Sequence, residues 1–242
     1  MSWAPVIAAS LTAGASLVIA ILSVVFARNA VTRTRRFDVT DRAQRYREPL
    51  LHAAYNLQSR LWNIAHQRFL EDFHASGNER ERQYARLNTT YLIGQYFCWA
   101  ELIRDEAQYL SPGRRRKERK LISAMEGVRH LFADSQRLSI PTLRIFRGDQ
   151  RAIGELFLVP VAHVPELAGR RTIGYAAFVN AHSVDARLES WLAPLIVSID
   201  ALAADLDGNG DRLVEVQRAL VDLVNLIDPR GNRVSAGGRT KA

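Results

Sequence analysis

The sequence predicts a mainly α protein: an N-terminal transmembrane helix followed by a cytoplasmic helical bundle. Three observations predict it. Val6 to Ala27 is 22 residues long and holds no charged side chain. Arg28, Arg33, Arg35 and Arg36 follow it directly. From Leu50 to Ile227, apolar residues then recur three and four apart in several long stretches, the spacing of helices with one buried face. The implied organisation is an anchor over 1–27, a basic juxtamembrane helix or linker over 28–48, a helical domain over 49–229 and a disordered basic tail over 230–242.

The anchor comes first. At about 1.5 Å per residue its helix spans roughly 33 Å, enough for a hydrocarbon core of about 30 Å. Ser10, Thr12, Ser16 and Ser23 are its only hydroxyls, and a helix satisfies them on its own carbonyls. A cleaved signal peptide fits less well. Met1 to Pro5 carries no charged side chain, and Phe26-Ala27-Arg28 is a poor cleavage site. The arginines on the C-terminal flank place that side in the cytoplasm of an inner-membrane protein, with the N-terminus outside. Ala9 and Ala13, Ser10 and Gly14, Ser16 and Ala20 are each four apart, the spacing by which membrane helices approach closely, so a homo-oligomer is one expectation.

Charge is distributed unevenly. The net charge is +8, but Arg28–Arg47, Arg114–Lys120 and the tail from Arg230 carry +5, +5 and +4, leaving the rest of the chain at −6. Membrane lipid is the expected partner of Arg28, Arg33, Arg35 and Arg36, and of Arg114, Arg115, Arg116 and Lys117. A solvated face is the simpler reading of the second run. Nucleic acid is disfavoured there because no aromatic residue interleaves with the cations.

The helices follow in order. Pro49 suits a first helical turn, and Leu50, Ala54, Leu57, Leu61 and Ile64 continue the pattern to about Phe73. Asn78 is a candidate cap for a second helix, whose stretch from Tyr91 to Ile103 is apolar on most of its circumference. Such a helix belongs at the centre of a bundle, so Tyr84, Tyr91, Tyr96 and Trp99 read first as core and second as a pocket wall. Ser111-Pro112-Gly113 stops it, and a third helix runs from the basic stretch through Phe132. Gly148-Asp149-Gln150 starts a short helix. Two short strands near Phe157–Val161 and Thr172–Val179 would find few partners, and the second stretch also reads as a buried helical turn. Asp185–Ala203, interrupted by Pro194, and Asp211–Ile227 close the domain.

Motifs for chemistry are sparse. The chain has no P-loop, no dinucleotide-binding glycine pattern, no nucleophile elbow and no His-Glu-x-x-His, so no cofactor is implied. Asp205, Asp207 and Asn209 with Gly210 match the front half of a calcium loop. The back half fails, with Val216 where a bidentate Glu is required and Arg212 at an aliphatic position. A capped polar turn explains the segment better. Cys98 sits in an apolar helical pattern, where a lone cysteine is a small buried hydrophobe.

Tyr46–Leu51 (YREPLL), Leu57–Leu61 (LQSRL) and Phe146–Leu156 (FRGDQRAIGEL) resemble runs in a group of uncharacterised bacterial single-pass membrane-anchored proteins. The resemblance covers Tyr46 to about Val179. It implies no known activity and transfers no catalytic role. It singles out Gln58, Arg60, Arg147, Asp149, Gln150 and Glu155 as ligand or partner candidates. The leading expectation is a non-catalytic scaffold or regulator that binds a protein partner through the segment around Arg147. The alternative is an enzyme or small-ligand sensor in which Arg147, Asp149 and Glu155 converge on a pocket.

Overall fold

A computed structural model describes residues 46–108, 116–135, 141–160, 170–235 and 238–242. The anchor, its arginine flank through residue 45, and Arg114 and Arg115 lie outside the described residues, as do the side chains of Arg116 and Lys117. Among the described residues no helix is long and apolar enough to cross a membrane.

Helix α1 (Arg47–His66) begins as Pro49 predicts and buries Leu50, Leu51, Ala54, Leu57, Leu61 and Ile64 along one face. It ends earlier than the periodicity predicts. Arg68 takes a left-handed conformation, φ 54°, which turns the chain before Phe69. A π-helical turn follows over Glu71–Ala75. The reversal lays Phe69 and Leu70 back on the core and leaves Phe73 exposed, so Phe73 belongs to a different surface from α1.

Helix α2 (Glu79–Gln108) starts where Asn78 predicts. The Asn78 side-chain oxygen accepts from the Glu81 amide at 3.1 Å, and Glu81 accepts from the Asn78 amide at 2.8 Å, a reciprocal capping box. Its middle is the core of the domain: Ile93, Tyr96, Phe97 and Cys98 are buried. Helix α3 (Arg116–Ala133) and helix α4 (Arg147–Leu156) follow. Strand β1 (Leu158–Pro160) pairs antiparallel with β2 (Arg170–Thr172) in a two-stranded ribbon, with Val159 opposite Arg171. Helix α5 (Tyr175–Val184) occupies the stretch in which strand and helical turn competed. Helix α6 (Ala186–Ala204) passes through Pro194 without ending, and Asp185 caps it by accepting from the Arg187 and Leu188 amides. A single turn, α7 (Leu206–Asn209), leads into α8 (Asp211–Ile227).

The chain is thus mainly α, and its Arg45–Ala242 unit is a bundle. Helix α8 packs along α1 and α3, while α2 lies between α1 and α4 and also meets α6. The crossing of α2 and α4 is close. A Cβ on Gly154 would stand 2.9 Å from the backbone oxygen of Phe97. On the facing helix, Gly94 leaves room for the Phe157 ring to lie against α2. Around that ring Tyr91, Phe157 and Phe178 pack with centroids 5.2–6.0 Å apart.

The tail differs from the disordered expectation. Asp228 accepts from the amides of Asn232, Arg233 and Val234, and Arg239 bonds its carboxylate and its carbonyl. Farther on, Gln217 donates to the Thr240 carbonyl and accepts from the Ala242 amide. The residues are polar and basic, yet they answer acceptors that α8 presents at its end and on its flank. Composition registers the polarity and misses the acceptors.

Candidate functional site

Two of the residues singled out in the sequence face inward as braces. Gln58 on α1 is fully buried and accepts from Gln217 of α8 at 3.1 Å, and it donates to the Gly238 carbonyl of the tail. This amide pair joins the two helices and holds the last residues of the chain. Gln150 is buried on α4. Its amide donates to the Arg129 and Ile145 carbonyls at 2.9 and 2.8 Å, and its oxygen accepts from Arg129. With every polar atom answered, both glutamines have a structural use.

Arg147, Asp149 and Glu155 do not converge. Arg147 pairs with Glu126 on α3. Glu155 faces Arg151 one turn away at 3.4 Å, and Arg151 also reaches the buried Glu101 at 3.1 Å. No hydrogen bond or ion pair links the three to one another. What the segment does present is an aromatic surface: Phe146, at the N-cap of α4, is 57% exposed, and the Arg144 guanidinium lies 5.4 Å from its ring centre.

Arg60 is the exception among the buried candidates. Its guanidinium carbon sits 3.8 Å above the Phe69 ring and 5.4 Å from the Tyr84 ring. Nη2 donates to the Asn88 side chain at 2.7 Å and to the Tyr84 hydroxyl at 3.2 Å. Nη1 is buried with no partner. Tyr175 of α5 lies near Arg60 and Asn88. Burial pushes the Arg60 pKa below its ordinary value, and the bond to Tyr84 offsets part of that. No carboxylate pairs with Arg60 among the described residues.

Asp200 of α6 is held by Arg86 at 2.6 and 3.0 Å and by His74 of the π turn at 2.7 Å. Sequence reasoning missed this trio, whose members lie 114 and 126 residues apart along the chain and carry no local motif. It missed the role of Arg212 too, although it noted that residue. Arg212 is fully buried and donates to the Leu131, Asp134 and Thr142 carbonyls, which end or follow α3. The arginine that spoils the calcium pattern is therefore a helix brace.

Asp205, Asp207 and Asn209 form the capped turn. Asp205 accepts from the Gly208 amide at 2.9 Å, and Asn209 takes a hydrogen bond from Thr142 at 2.8 Å while donating to the Asp205 carbonyl. Cys98 is buried, and desolvation pushes its thiol up to about 12.

Compared with protein-family models, with curated proteins and with solved structures, the chain finds no match.

Proposed function

We propose that this protein is a single-pass membrane-anchored scaffold or regulator. Its helical domain works at the cytoplasmic face and docks a protein partner through the N-terminal end of α4. The observation that carries this reading is Phe146. A large aromatic ring more than half exposed, backed by Arg144 and flanked by Arg147, is the residue set in which binding energy concentrates at protein interfaces. The surrounding ion pairs are solvent-exposed and contribute little to folding. Their role in this reading is orientation of the partner. Support also comes from α4 itself, which the Gln150–Arg129 brace and the close Gly154 crossing hold rigidly under the patch.

The test is site-specific photo-crosslinking in intact membranes, with a benzophenone side chain at position 146 and, as a control, at the exposed Glu189 on α6. A discrete adduct at 146, absent at 189 and lost on Arg147→Glu, is the expected result. Equal adduct patterns at both positions, or none at 146, contradict the reading.

A further inference from the structure

We propose that Arg60 is the anchor of a binding site for a small oxyanion, a carboxylate or a phosphate group, lying between α1, α2 and α5 beneath the Phe69 ring. Arg60 is 8% exposed, and a guanidinium has five N–H groups and no acceptor. Two neutral oxygens, from Tyr84 and Asn88, answer Nη2, and the Phe69 face covers one side. Nη1 has no acceptor at all. A buried cation left in this state is costly unless an anion completes it.

The surroundings select the ligand. The nearby side chains offer donors: the Tyr84 and Tyr175 hydroxyls, and the Asn88 amide nitrogen, whose oxygen is already taken by Arg60. Asp200 of α6 is committed to Arg86 and His74. Donors converging on one cation fit an oxygen-rich anion, and the two tyrosine rings suit a carboxylate or phosphate carrying an apolar body.

Access follows from the segment above. Phe69 comes immediately after Arg68, whose left-handed φ of 54° is strained for a non-glycine residue, and the irregular π turn lies just beyond. Tyr84 is 42% exposed, so one wall of the site already meets solvent. Swinging the Phe69 segment relieves the Arg68 backbone and opens the face of the guanidinium.

The experiment is thermal unfolding of the purified full chain in detergent, titrated with inorganic phosphate, acetate or benzoate against chloride at matched ionic strength. Wild type should show a saturable rise in Tm of roughly 5 °C at about a hundredfold excess over Kd. A response to phosphate alone assigns a phosphate group, and one to benzoate or acetate assigns a carboxylate. Arg60→Met should abolish the response, and Tyr84→Phe should weaken it several-fold. If Arg60→Met fails to fold, Tyr84→Phe and Asn88→Ala decide. No rise over chloride with any of the three anions overturns the proposal. So does a rise that the folded variants keep in full.

Discussion

The α2–α4 crossing that carries the Phe146 patch has a sharp energetic consequence. Gly154→Ala places a methyl group 2.9 Å from the Phe97 carbonyl oxygen, 3.1 Å from its carbon and 3.4 Å from the Cys98 nitrogen. All three are backbone atoms of a core helix and have no rotamer through which to yield. Helix α4 has to lift by several tenths of an ångström, and overpacking of this kind costs about 1–3 kcal/mol. Alanine also gains about 1 kcal/mol of helix propensity over glycine, which blurs the result for a single variant. Gly127→Ala on α3 supplies the reference, because nothing stands within 4 Å of its added Cβ. Propensity cancels between the two variants, and their difference isolates the contact. Urea unfolding followed by circular dichroism should show Gly127→Ala slightly stabilised and Gly154→Ala below it by about 1–3 kcal/mol. Coincident unfolding curves for the two variants refute the close crossing.

Two further outcomes are expected. Asn78→Ala removes the capping box at the start of α2 and should lower stability by about 1 kcal/mol in the same assay. Burial pushes the Asp228 carboxyl up, but the Arg233, Val234 and Asn232 amides and the Arg239 guanidinium outweigh it and hold it at about 2. An unfolded aspartate titrates near about 3.9, so the contribution of Asp228 is fully present above that pH and is lost as pH falls through about 2. The protection of the 232–234 amides, taken relative to their intrinsic exchange at each pH, should fall across that window, and Asp228→Asn should remove it at neutral pH as well.

The helices were legible in the sequence wherever one face was apolar and a cap was local. Asn78 and Glu81 are three residues apart, so the start of α2 was written in one short motif. The end of α1 was not, because Phe69 and Phe73 continue the four-residue spacing of Ala65. The turn at Arg68 is set by where Phe69 packs, which is a tertiary matter. The site residues divide in the same way. Gln58, Arg60 and Gln150 stood out only through the runs that carry the resemblance, and only their partners, Gln217, Asn88 and Arg129, separate two braces from one incompletely paired cation. Those partners lie 159, 28 and 21 residues away, beyond the reach of periodicity. The docked tail is the clearest example of the gap, since its order resides in the carboxylate of Asp228 and the amide of Gln217.

The docking proposal rests on the claim that the helical domain is tethered at the cytoplasmic face of the membrane. Cys98 makes this directly measurable, because its thiol is buried and held up to about 12, leaving a silent background for maleimide labelling. Ser2→Cys and Ser183→Cys, the latter at an exposed position on α5, would each be treated with a membrane-impermeant maleimide in intact spheroplasts and again after lysis. Ser2→Cys should be labelled in intact spheroplasts and Ser183→Cys only after lysis. Labelling of Ser183→Cys from outside, or release of the whole chain from membranes by alkaline carbonate, would contradict it.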